Sequence, residues 1–237
     1  AEAPTMEGNT KNEGTELSHS QILRSKIAMV TPRLREQLYQ FWNHPSIGEI
    51  FPKHLEILYH PVHASVPLLE AALSEAMQLE LSCPVARELI PYLEKHIGEE
   101  KDHDVGVLED LEVFGIDRNT VIEKIPPSVV ATQIGSQYYY IKHAHPLAVI
   151  AYLAVVEGSP PMADQLDRLV NNSAIPKEAM RSFYKHADID RYHSQELWDF
   201  IDALPLTHKQ IKLLGLNAML TIEHSATTLE YLLEDFS

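Results

Sequence analysis

Two histidines and an aspartate on one helical stripe are the most specific chemical feature of this sequence. In the segment HADIDRYH, His186, Asp190 and His193 are spaced i, i+4 and i+7, which at about 100° per residue confines them to about 60° of arc. Two neutral imidazoles and a carboxylate suit iron or manganese, whereas structural zinc usually recruits cysteines, which this chain lacks in number. The ordinary alternative for such a stripe is a solvated or internally hydrogen-bonded polar face.

Upstream, HIGEEKDH places Glu100 three residues before His103, the Glu-x-x-His pairing with which helical bundles present a carboxylate and an imidazole together. Asp190 and His193 repeat that spacing with a shorter acid. Glu100 alone would pass for one charge in a charged run. Two half-motifs on different helices, however, meet the requirement of a dimetal core, to which each helix offers only one face. Glu157 ends the apolar run PLAVIAYLAVV. A carboxylate there is either an exposed helix end or a buried acid that needs a proton, an ion pair or a metal to neutralise it. Together, Glu100, Glu157 and Asp190 with His103, His186 and His193 nearly balance two divalent ions and leave coordination positions for dioxygen or substrate. His96, one heptad before His103, shares its stripe, and His63 or Glu70 on the preceding helix could add a ligand. For these three, a supporting or surface role is the ordinary expectation.

Long helices must hold these residues. Apolar spacing predicts helices from about Gln21 to Phe41 and from Ile47 to Met77, with Pro32, Pro52, Pro61 and Pro67 marking bends or breaks. Pro84 opens a helix expected to run to Phe114, bent at Pro91 and closed by Gly115 with Ile116. Asp117 caps a short helix, and Pro126 and Pro127 precede a helix over Ser128 to His143. Pro146 restarts the chain as an apolar, buried helix ending near Glu157. Ser159 with Pro160 fits the next helix start, Pro176 opens a helix to about Ala203, and Thr207 with Gln210 makes a capping box for the last. Tyr138, Tyr139 and Tyr140 point in three directions on their helix, so at least one faces inward. Core packing is its ordinary role, and electron donor or substrate to an oxidising metal is the chemical alternative.

The chain has 237 residues and only 9 Gly. It is expected to be one all-α domain of about eight to ten helices over residues 18–237, after a polar, disordered tail at 1–17. With 34 acidic against 19 basic residues, the formal charge of -15 argues against a phosphate-binding surface, so no nucleic-acid partner is expected. The longest apolar run, Pro146 to Val156, falls short of the roughly 20 residues of a bilayer span, and no signal sequence opens the chain. A cytoplasmic protein without a membrane partner is the expectation. Cys83, the sole cysteine, excludes an intrachain disulfide and stands at a helix start.

From about Leu38 to Ala203 the sequence resembles the heme-oxygenase-like diiron oxidases, and among them the relatives of the Chlamydia protein associating with death domains. The resemblance rests on HIGEEKDHDVGVLEDLEVFG, on the Leu-Ala-Val-Val-Glu-Gly-Ser-Pro-Pro stretch around Glu157, and on the His-x-x-x-Asp-x-x-His of HADIDRYH. It implies the helical fold shared with heme oxygenase, the TenA proteins and PqqC, and a centre of two irons, or iron with manganese, without heme. His103, Glu157, His186, Asp190 and His193 match ligand positions, and Glu100 matches the Glu that precedes the histidine in several members. Some relatives carry a glutamate seven residues before the first histidine. Here that position is His96, which leaves the sixth ligand, and a one-metal or two-metal content, open.

The expected activity is therefore an oxygen-dependent oxidase or oxygenase acting on a small organic molecule, with dioxygen as co-substrate and a homodimer left open. A metal-free TenA- or PqqC-like enzyme, or a ligand-binding protein of the same fold, is the alternative. The TenA-type reaction needs a reactive cysteine, and Cys83 matches no such motif. A ferritin-like carrier should carry two Glu-x-x-His motifs, and heme oxygenase itself needs a glycine-rich helix that this chain does not have.

Overall fold

α1 (His19–Trp42) begins where Ser18 and Gln21 cap each other, each backbone N–H donating to the other's side-chain oxygen. The computed structural model describes residues 17–158, 162–234 and 236, and the side chains of 188–192 are not among the described features. The expected tail up to residue 16, and the helix start expected at Ser159 and Pro160, lie outside the described residues. The remaining elements are α2 (Ile47–Leu79), α3 (Pro84–Glu100), α4 (His103–Glu112), α5 (Arg118–Ile122), α6 (Ser128–His143), α7 (Ala148–Val156), α8 (Ala163–Asn172), a 3-10 turn (Lys177–Met180), α9 (Arg181–Ala203) and α10 (His208–Glu234). No strand occurs among the described residues.

Local chemistry sets most of these limits. Gly115 takes the left-handed conformation at φ 75° after α4, and the Ile116 N–H returns to the Leu111 carbonyl, closing the helix as expected. Asp117 caps α5 through the Thr120 N–H, and Thr207 with Gln210 caps α10. The spans expected for the first two helices hold, and one expectation fails. Pro32 lies inside α1, and Pro52, Pro61 and Pro67 lie inside α2, which run on without a break. Packing sustains those turns against the loss of a donor at each proline: Leu55, Tyr59, Leu68, Leu69 and Ala72 are buried along the same helix. Conversely, the single helix expected from Pro84 to Phe114 is two. Lys101 leaves the helical region at ψ 135° and Asp102 turns left-handed at φ 65°, so α4 starts afresh at His103.

Two apolar clusters hold the bundle. One gathers the second half of α2, α3, α7 and parts of α9 and α10 around Leu89, Leu93, Ile150 and Leu197. The other is aromatic-rich, with Phe41, Phe51 and Tyr59 against Leu111, Met180 and Leu229. α7 belongs to the interior, as its composition predicts: every residue from Ala148 to Ala154 is buried, against α10, α6 and α9. Each large aliphatic side chain so enclosed contributes about 1.5–3 kcal/mol. α1 lies along α10, tied by Arg33 to Glu223 and Glu230. No described helix is long and apolar enough to cross a membrane.

Candidate metal centre

His96, Glu100 and Glu157 converge inside the bundle, each offering one donor atom within 4.8 Å of the others. The first two sit one turn apart on α3, and Glu157 closes α7 with its N–H bonded to the Leu153 carbonyl. His96 is 3 % exposed, Glu157 6 % and Glu100 9 %. His96 Nε2 donates to Glu157 Oε1 across 3.1 Å. Gly158 follows directly, where only glycine fits. A Cβ at this position would overlap the Ala154 carbonyl oxygen and stand 3.1 Å from Trp198 Cζ2.

The break between α3 and α4 turns His103 back onto this group. His103 is buried, and its Nδ1 stands 3.2 Å from Glu100 Oε1. That contact is too poorly aligned to count as a hydrogen bond, and Nδ1 has no other partner. The His103 ring meets the His186 ring edge-on at 4.7 Å between centroids. His193, on the same helix as His186, lies on the other side of the cluster, its ring 5.6 Å from that of His96. Asp190 belongs to α9 between them, and its side chain lies outside the described residues. His63 and Glu70 are not brought to the cluster: both are exposed on α2, and His63 pairs with Asp104 at 2.7 Å.

Charge within the cluster is held by proximity. Burial pulls the His96 imidazole down, but the Glu157 carboxylate, with Glu100 and Glu99, holds it above its ordinary value. Burial pushes Glu100 up, and the imidazoles of His103, His96 and His186 hold it below the usual carboxylate range. These donors fit a divalent cation. Ligands about 2.0–2.2 Å from one ion stand about 3 Å apart, the spacing of the His96–Glu157 and Glu100–His103 contacts. A buried His103 nitrogen without a hydrogen bond is the kind of atom a metal satisfies.

Three neighbours carried no signal in the sequence reading. Glu99 Oε2 lies 3.6 Å from both His96 Nδ1 and His193 Nε2, one turn along the helix from the first. Tyr92, i−4 from His96, stacks on that imidazole at 5.7 Å. Tyr152 on α7 is buried beside Glu100 and Glu157, and burial with those two charges pushes its phenol up. Of the three consecutive tyrosines on α6, Tyr139 is exposed and Tyr138 packs beside an apolar cluster. None of them is among the described residues that line the cavity at the site.

That cavity, of about 390 Å³, has Glu100, Glu157 and His186 in its wall and is otherwise lined largely by apolar side chains, among them Leu34, Ile57, Val107 and Phe183. Cys83 is not among the described lining residues. Its Sγ stands 3.4 Å from His145 Nε2 at the start of α3.

Residues 58–224 match the family of proteins described as iron-containing redox enzymes. Comparison with curated proteins gives no match. Among solved structures, the chain is similar to a domain of unknown function with a heme oxygenase-like fold from Shewanella denitrificans, with a TM-score of 0.78 and 16 % identity over 90 % of this chain and 91 % of that one. It is also similar to a TenA homolog from Pseudomonas syringae pv. tomato, with a TM-score of 0.71 and 12 % identity over 92 % of this chain and 96 % of that one. Both likenesses concern the fold, which is the all-α, heme oxygenase-like bundle.

Proposed function

Since the chain belongs to the family of iron-containing redox enzymes, we propose that its buried cluster holds two iron ions and that the protein is an oxygen-dependent oxidase or oxygenase acting on a small organic molecule. The observation that carries this reading is the trio His96, Glu100 and Glu157, buried and mutually within 4.8 Å. His103, His186, Asp190 and His193 complete the ligand set: the first two by their contacts with Glu100 and with each other, the last two by their register on α9. His96 joins on geometry. When bound, iron supplies the capacity to activate dioxygen and to accept electrons from an organic molecule.

The protein's own residues provide charge, shape and an apolar wall. Glu100, Glu157 and Asp190 offset most of the charge of two divalent ions. Glu157 Oε1 accepts the proton held at His96 Nε2, and that proton must leave before the nitrogen can act as a ligand. Glu99, facing the outer nitrogen of His96, is placed to steady the ring. Apolar side chains of α1, α2 and α10 form most of the cavity wall, and so low-polarity a surround strengthens the electrostatics of its polar part.

The likeness to a TenA homolog fits a metal-free enzyme of this fold as well, but buried carboxylates beside three imidazoles favour a cation. Dioxygen uptake by the full chain, measured after anaerobic addition of ferrous iron and a reductant, tests the proposal. Uptake should exceed that of the metal-free and zinc-treated protein. Uptake equal to those controls would contradict it.

A further inference from the structure

The cavity beside the cluster offers a bound molecule few hydrogen-bonding groups. Besides the Tyr152 phenol, four aliphatic hydroxyls reach its wall, and each of the four is already engaged. Ser65, Ser225 and Thr228 donate to the carbonyls of Pro61, Thr221 and His224, one turn back on their own helices. Ser182 donates to Asp110. Among the described lining residues there is no Lys or Arg, so away from Glu100, Glu157 and His186, where iron would be held, nothing in the described wall would neutralise a carboxylate or a phosphate.

Apart from Tyr152, which stands beside Glu100 and Glu157 in the metal centre, two neutral polar side chains remain uncommitted. Gln133 on α6 is 6 % exposed and lines the cavity, and its amide makes no hydrogen bond among the described residues. Gln137, one turn further on the same helix, shows what a structural amide does in this bundle: fully buried, it exchanges hydrogen bonds with Asn217 and donates to Thr221. An amide almost wholly enclosed, facing the cavity and without a partner among the described residues points to a ligand that supplies its bonds. His54 on α2 is the second. It lines the same cavity among the rings of Phe41, Phe51 and Phe183, and its Nδ1 is buried without a partner. Burial pushes the ring down to about 4, so near neutral pH it presents one donor and one acceptor and no charge.

We infer that Gln133 and His54 recognise the substrate, and that this substrate is a mainly hydrocarbon molecule carrying an uncharged hydrogen-bonding group such as a carboxamide or hydroxyl. The inference rests on reading the cavity as the substrate site of the iron enzyme proposed above. A primary carboxamide is the best match to Gln133, because two amides donate and accept reciprocally.

Calorimetric binding of octanamide and of octanoate to the iron-loaded, anaerobic full chain at pH 7, with iron content measured on the same samples, tests it. Octanamide should bind about tenfold more tightly than octanoate, and Gln133→Leu should weaken octanamide about tenfold while leaving iron content unchanged. The ligand-free Gln133→Leu protein should melt at or above the wild-type temperature, since the amide it replaces holds no hydrogen bond within the described protein. His54→Phe, which keeps the ring and removes both nitrogens, should also weaken octanamide. The inference is overturned if octanamide does not bind, if octanoate binds as tightly, if Gln133→Leu binds octanamide like wild type, or if that variant is destabilised without ligand. Amide selectivity in a protein that retains no iron would instead count against the iron reading alone.

Discussion

His96 Nε2 donates to Glu157 Oε1 across 3.1 Å, joining the middle of α3 to the end of α7 in the interior of the bundle. Two groups that are costly to bury thus meet in the interior. Residues kept for a function in this way weaken the fold that carries them.

Glu157→Gln separates those two roles. The variant keeps an oxygen for the His96 N–H but removes a buried charge beside Glu100. Iron affinity should fall more than tenfold, whereas the metal-free protein should be unchanged or more stable, by up to about 2 kcal/mol. Parallel iron titration and urea unfolding of both proteins measure the pair of effects.

Gly158→Ala should damage site and fold together. The added Cβ meets the backbone of Ala154 and the ring of Trp198, and only a shift of the end of α7 relieves it. A loss of about 1–3 kcal/mol in chemical denaturation is expected, accompanied by weaker iron binding because Glu157 moves with that turn.

Asp102 holds the left-handed turn that brings His103 onto Glu100. Asp102→Gly should stabilise the protein by about 0.5–1 kcal/mol and Asp102→Val should destabilise it by about 1–2 kcal/mol. Denaturation midpoints read both. Because the turn itself survives in the glycine variant, its iron content should match wild type.

The other end of the bundle gives a pH effect. Burial pushes Asp202 up, but hydrogen bonds from the Ser20 N–H, the Ser20 hydroxyl and the Ser18 hydroxyl outweigh it and hold the carboxyl below its ordinary value. A carboxyl lowered by folding stabilises the native state above the ordinary carboxylate range, near pH 4, and that stabilisation is lost as pH falls through the lowered value. Metal-free Asp202→Asn should therefore be less stable than wild type at pH 6, and the difference should shrink toward pH 3. Thermal melts across that range check it.

Helix ends written in local chemistry were legible in the sequence. Gly115, Asp117 and the Thr207–Gln210 pair act where they stand, because a cap needs only its own neighbours. The break at Lys101 and Asp102 was not legible, since aspartate enters the left-handed region only when tertiary contacts reward it, here the return of His103 to Glu100. Apolar spacing read correctly through the prolines: Pro61 and Pro67 remain inside α2 because the packing of that helix outweighs the lost bonds. For the site, spacing identified Glu100, His103 and Glu157 as residues worth locating but placed His96 in a supporting role. Only the crossing of α3 with α7 puts its ring against Glu157. Gln133 is invisible to any spacing rule, because the lack of a partner is a property of the folded surroundings.

Iron content of the full chain, measured after anaerobic reconstitution with ferrous iron and removal of unbound metal, tests the central claim most directly. About two irons per chain, falling to about one or fewer in Glu157→Gln, is the predicted result. A wild-type protein that retains almost no iron, or one whose iron content is indifferent to Glu157→Gln, would contradict it.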